Sequence, residues 1–199
     1  MSSESDDKEF ISIKIVILGE PAVGKTSIRK NYLGEGLGDQ FLLTLGVDMV
    51  QKQIEMSDQV ILDTQIWDVA GQDSLEAITR QFLGGTQGAI LVFDLTRDYT
   101  FTKITSWLDR LHAENPDLNN NIPFILVGNK VDLDIYRKID SQDVLDYLEY
   151  LNRHQVYSKT EIQYLETSAK TGAQIEEAFF KLGQVILKNF ELLDSSGEY

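Results

Sequence analysis

From Phe10 to Phe190, short apolar, β-branched runs alternate with segments whose apolar residues recur every three or four positions. Period-2 or wholly apolar runs build strands, and period-3.6 segments build helices with one buried stripe. Alternating the two almost end to end leaves few solutions: a mainly parallel sheet with helices on both faces. Strands are predicted at Phe10–Leu18, Val47–Met56, Gln59–Trp67, Ala89–Asp94, Pro123–Val127 and Ile162–Thr167. The second and third are joined only at Ser57-Asp58, close enough for an antiparallel hairpin.

Helices are predicted from Lys25 to Leu33, around Ile104, Trp107, Leu108 and Leu111, around Val144, Leu145, Leu148 and Leu151 behind a Ser141 cap, and from Ile175 to Phe190. Each stripe reads first as core packing. Residues 1–8 and 194–199 read as loose tails around one domain at 9–193, the size expected for 199 residues.

Composition removes several functions. A net charge of −14 opposes binding to nucleic acid or anionic membrane. With Cys 0 there are no disulfides, thiol chemistry, cysteine zinc sites or thiol-linked lipids, so no lipid anchor is visible. The acidic, polar start and the lack of a long apolar run predict a cytoplasmic chain, with monomer the expected state.

Chemistry concentrates where predicted strands end. Behind the first lies Gly19-Glu-Pro-Ala-Val-Gly-Lys-Thr26, the pattern G-x-x-x-x-G-K-S/T. Its physical content is a loop of converging main-chain N–H groups finished by a lysine and a hydroxyl. Gly19 lets the chain leave the strand and Gly24 lets the backbone approach an anion. Lys25 would bridge β- and γ-phosphates, Thr26 would ligate Mg²⁺, and the following helix would aim its positive end at the same anion. The bland alternative is a strand-to-helix turn with an idle lysine.

Trp67-Asp-Val-Ala-Gly-Gln-Asp73 places an aspartate, Asp68, at a strand end, able to hold Mg²⁺ through water, and a glycine, Gly71, able to offer N–H to a γ-phosphate. In Val127-Gly-Asn-Lys-Val-Asp132, the Asp132 carboxylate matches guanine's N1–H and N2–H₂ donors, a pairing adenine lacks. Glu166-Thr-Ser-Ala-Lys170 offers the Ala169 N–H to a base carbonyl. Singly, each of these three is also an ordinary surface turn.

Taken in order, the four segments make the chain resemble the Ras superfamily of small GTPases, most closely the Rab branch, over roughly Phe10 to Phe190. The resemblance implies an α/β P-loop fold with a six-stranded mixed sheet, one antiparallel strand and five helices. It implies a molecular switch that binds GTP or GDP with Mg²⁺ and slowly hydrolyses GTP, in membrane trafficking or signalling. Nucleotide would be held by Gly19, Ala22, Val23, Gly24, Lys25, Thr26, Ser27, Gly71, Asn129, Lys130, Asp132, Ser168, Ala169 and Lys170. Metal would be held by Thr26, Asp68 and the switch threonine Thr44. Catalysis would fall to Gln72, which orients the attacking water, with Lys25 and Thr44.

No arginine stands where the family supplies a catalytic finger, so an activating protein is expected beside an exchange factor and effectors. The effector face would comprise Met49, Trp67, Leu75, Ile78 and Phe82, the bland alternative being that Trp67 and Phe82 are simply core.

Three departures from the family accompany this. Pro21 replaces glycine or serine near the γ-phosphate and could hinder Gln72, which leaves open a nucleotide-loaded binding module with negligible turnover; an ATP-using P-loop protein is a third reading. Leu37 stands where an aromatic usually meets guanine. Extra residues fall in Leu151–Glu161, expected to lengthen the fourth helix or its exit loop. His112 and His154 read as helix-surface residues.

Overall fold

The computed structural model describes residues 8–35, 46–71, 80–118, 121–155 and 157–196. The strands are β1 (Glu9–Leu18), β2 (Val47–Glu55), β3 (Val60–Val69), β4 (Gly88–Asp94), β5 (Phe124–Asn129) and β6 (Gln163–Thr167). They form one six-stranded sheet in the order β2-β3-β1-β4-β5-β6. Only β2 and β3 pair antiparallel; the other four pairings are parallel.

The period-2 pattern of β1 divides the core. Ile13, Ile15 and Ile17 face one cluster with Ile90, Val92, Ile125 and Val127, covered by α1 (Lys25–Tyr32) and α5 (Ile175–Ser196). Val16 and Leu18 face the other with Leu91, Phe93, Phe124 and Leu126. Here the cover is α3 (Ile104–Ala113) and α4 (Ser141–His154). Both faces being sheltered explains why β4 and β5 are buried at every residue and read as continuous apolar runs. Tyr32 stacks on Phe179 with ring centroids 3.7 Å apart, tying α1 to α5.

Several sequence expectations shift. A short helix, α2 (Asp98–Thr102), precedes α3 and is separated from it by Lys103. Asp140, not Ser141, caps α4 by accepting from the Gln142 N–H; Ser141 is the first helical residue, and its hydroxyl donates to Glu166. Leu145 stays 49% exposed, because the buried side of α4 runs through Val144, Leu148 and Leu151. Helix α5 continues to Ser196, past the expected end of the domain.

The extra residues near 151–161 carry α4 to His154 and then a left-handed Gln155, after which the chain docks on α3. Tyr157 donates its hydroxyl to Asp109, and His112 sits between the Leu108 and Tyr157 carbonyls, 2.9 Å from each. His112 is therefore buried rather than a surface residue, and this docking is the reason.

Candidate functional site

Strand β1 lies between β3 and β4, and the chain leaves β1 for α1 on one face of the sheet and leaves β4 for α3 on the other. Such a switch point opens a crevice at the strands' carboxyl ends, and all four sequence segments empty into it: Gly19–Gly24 after β1, Ala70-Gly71 after β3, Lys130–Asp132 after β5 and Ser168–Lys170 after β6. Parallel pairing brings β1 beside β3 along nine register pairs, from Glu9↔Val60 to Ile17↔Asp68, which sets Asp68 at the mouth of the glycine loop.

Glycine is required in that loop. Gly19 has φ 144°, and a Cβ there would lie 2.1 Å from the Val92 carbonyl oxygen of β4. Gly24 has φ 108°, and its Cβ would meet Asn129 Nδ2 at 2.2 Å. Ala22 also takes a left-handed φ of 59°. Val23 is fully buried, Ser27 half-buried, and α1 starts at Lys25.

The Lys25 ammonium donates to the Gly19 carbonyl at 2.7 Å and the Glu20 carbonyl at 3.0 Å. Burial pulls it down to about 8, with Asp68 and Glu20 pushing the other way and Arg97 adding to the fall. Gly71 packs against the same spot: a Cβ on it would be 2.5 Å from Gly19 O and 2.7 Å from Lys25 Nζ.

Thr26 donates its hydroxyl to Asp68 Oδ2 at 2.5 Å. Asp68 is wholly buried, and among the described residues its Oδ1 has no hydrogen-bond partner. Burial raises its carboxyl above the ordinary range, against the Thr26 hydrogen bond and the charges of Lys25 and Arg29. A buried carboxylate oxygen without a partner is costly. Beside a threonine hydroxyl it forms the hard-oxygen pair that suits Mg²⁺, directly or through water, so these residues fit that ion.

The base side is organised by Asn129. Its Nδ2 donates to the Val23 carbonyl at 2.8 Å, and its Oδ1 accepts from Thr167 Oγ1 and from the Ala169 N–H at 3.1 Å. The Ala169 N–H, read from sequence as free for a base carbonyl, is thus engaged by Asn129. Ser168 donates to Asp132 Oδ1 at 2.6 Å and holds that exposed carboxylate in place; Lys170 is exposed. Arg137 clamps Glu166 through both guanidinium nitrogens, at 2.9 and 2.5 Å, which anchors the strand feeding this loop.

Sequence reasoning missed four residues here. Asp94 Oδ2 pairs with both Lys130 Nζ and Arg97 Nε at 2.7 Å. Burial alone would raise the Asp94 carboxyl, but hydrogen bonds from Lys130, Thr96 and Arg97 hold it below its usual range. Arg97 also donates to the Pro21 carbonyl at 3.1 Å, and Trp107 Nε1 donates to Glu20 at 3.1 Å, so the glycine loop is braced from α2 and α3. Arg29 is the fourth. Hydrophobic periodicity carries no signal for these polar contacts, and the two that brace the loop close across 76 and 87 residues.

On the outer face, β2–β3 register sets Met49 directly opposite Trp67. Met49 is 45% exposed, while Trp67 and Phe82 are half-buried with ring centroids 5.6 Å apart. Lys14 Nζ lies 4.7 Å above the Trp67 ring and donates to the Gly84 carbonyl. Thr44, Gln72, Leu75, Ile78 and Leu37 lie outside the described residues.

The sequence matches the Ras family profile over residues 14–188. The chain belongs to the Ras family. Within it the likeness is to the Rab branch. The chain is 35% identical over 187 residues to Ras-related protein Rab7 of Drosophila melanogaster, covering 94% of this chain and 84% of that one. It is 32% identical to the Ypt/Rab-type GTPase ypt7 of Schizosaccharomyces pombe, over 94% of this chain and 88% of that one. Ras-related protein Rab7 of Pisum sativum is 33% identical, over 90% and 84% respectively. Ras-family membership makes the chain a small GTPase with the P-loop fold. Among the described residues no helix is long and apolar enough to cross a membrane.

Proposed function

We propose that this protein is a GTP-hydrolysing switch whose crevice holds guanine nucleotide between the Gly19–Thr26 loop and the Asn129–Asp132 and Ser168–Lys170 segments. The observation that carries the reading is the joint placement of Lys25, Thr26 and Asp68 at one strand switch point, with Gly71 in contact with Lys25. Lys25 gives up its two carbonyl partners for phosphate oxygens. Asp132, oriented by Ser168, accepts from guanine and selects it over adenine.

Mg²⁺, held by Thr26, Asp68 and in the triphosphate state Thr44, would neutralise phosphate charge. Water oriented by Gln72 attacks the γ-phosphorus in line. The new P–O bond forms as the bond to the bridging β–γ oxygen breaks, GDP leaves with that electron pair, and the water's proton passes to phosphate or solvent. Lys25 and the loop N–H groups take up the charge that develops.

Loss of the γ-phosphate frees Thr44 and Gly71, and the segments around them release an effector held on Met49, Trp67, Leu75, Ile78 and Phe82. The Rab-branch likeness favours membrane trafficking as the setting, with an exchange factor and an activating protein as regulators.

Single-turnover hydrolysis tests the chemistry. With Mg²⁺ and no activator, bound GTP is expected to turn over slowly, on the order of 10⁻⁴ s⁻¹, and Gln72→Leu to slow it by about tenfold or more. Equal, negligible rates in both proteins would leave a binding module in place of an enzyme.

A further inference from the structure

Arg29 occupies an unusual position for a charge. It lies on α1 one turn beyond Thr26, with a side chain only 5% exposed. Its Nη2 pairs with Asp48 Oδ2 at 2.9 Å, and its Nε lies 3.9 Å from Asp68 Oδ2. Among the described residues Arg29 Nε has no hydrogen-bond partner, and neither does Asp68 Oδ1. A buried donor and a buried carboxylate oxygen therefore stand unsatisfied on two residues whose nearest charged atoms are 3.9 Å apart.

Asp48 and Asp68 are direct register partners across β2 and β3. Two carboxylates facing each other on paired strands repel, and Arg29 reaches both of them. One guanidinium, which never deprotonates, is thus shared between two acids at the place where Thr26 presents its hydroxyl, with Lys25 the other positive charge acting on Asp68. Asp68 has two alternative claimants. A shift of about 1 Å would close its hydrogen bond to Arg29 Nε, and a divalent cation would draw it the other way.

We infer that Arg29 is a positioning residue for the metal site: it competes with Mg²⁺ for Asp68, takes over that carboxylate's charge when the ion leaves, and so sets how steeply nucleotide release depends on Mg²⁺. This rests on the Mg²⁺ site of the proposed function. The charge count gives opposite signs for two substitutions. Arg29→Met takes one positive charge away from both carboxylates and should tighten Mg²⁺. Asp48→Asn leaves Arg29 to Asp68 alone and should weaken it.

The test is to load wild-type protein, Arg29→Met and Asp48→Asn with a fluorescent GDP and measure its release rate across a Mg²⁺ titration, with chelator as the zero point. The half-saturating Mg²⁺ concentration should fall about three- to tenfold in Arg29→Met and rise by a similar factor in Asp48→Asn. A merely structural Arg29 would weaken Mg²⁺ in both variants or change it in neither, and either result overturns the inference. Asp48 is 55% exposed, so Asp48→Asn decides the matter if Arg29→Met does not fold. Release from wild-type protein that ignored Mg²⁺ altogether would overturn the metal site itself as well as this inference.

Discussion

Burying the Lys25 ammonium gives nucleotide binding a definite pH signature. With its pKa drawn from 10.5 to about 8, and each unit equivalent to about 1.4 kcal/mol, the charged form costs the nucleotide-free protein roughly 3 kcal/mol. Between about pH 8 and 10.5 the native chain binds fewer protons than the unfolded one at this site, so the stability of nucleotide-free protein rises with pH across that window. Phosphate oxygens favour the charged form and restore the proton, so binding GDP above pH 8 must take one up.

Affinity should hence be level up to about pH 8 and then weaken by as much as tenfold per pH unit. The perturbation is Lys25→Arg, whose guanidinium stays charged throughout. Dissociation constants for a fluorescent GDP, taken from about pH 7 to 9.5 at constant ionic strength and saturating Mg²⁺, should rise above about pH 8 for wild-type protein and stay level by comparison for the variant. Parallel curves would refute the argument, because the loss would then come from groups common to both proteins.

Two further predictions follow from the geometry. Gly19→Ala combines a left-handed φ of 144° with a Cβ 2.1 Å from a β4 carbonyl, so thermal or urea unfolding should show a loss of about 2–5 kcal/mol; a change under about 0.5 kcal/mol would mean the strand end can yield. Asp132→Asn loses the acceptor pair offered to guanine and should weaken GTP on the order of a hundredfold, about 2–3 kcal/mol, without improving ATP. Competition between the two nucleotides for the emptied protein measures it, and an unchanged GTP affinity would place base selection elsewhere.

Local rules read correctly wherever one residue type meets one conformational demand. Gly19 and Gly24 were legible because only a residue without Cβ survives at those φ values beside Val92 and Asn129. The parallel sheet was legible because runs buried on both faces, such as Ile90–Phe93, have no other use in a chain of this size. The antiparallel β2–β3 hairpin was legible because only Ser57-Asp58 separates the two predicted runs.

The misreadings have physical causes of the same kind. Ser141 and Asp140 are both good caps, and the choice between them fell to Glu166, which draws the Ser141 hydroxyl away. His112 became buried because the chain beyond α4 folds back onto α3, a contact between residues 45 apart that no periodicity encodes.

By itself, then, the order of residues determined the layered fold, the glycine loop, the lysine and hydroxyl behind it, and the acid that suits guanine, since each follows from backbone sterics or from the chemistry of one side chain. Only tertiary structure decided which charges share a space. Arg29 was set between Asp48 and Asp68, and Asp94 between Lys130 and Arg97, by strand pairing and helix docking. The physical reason is that backbone and hydrophobic preferences act over a few residues and leave a pattern. Electrostatic partners depend on distances that exist only after the sheet has closed.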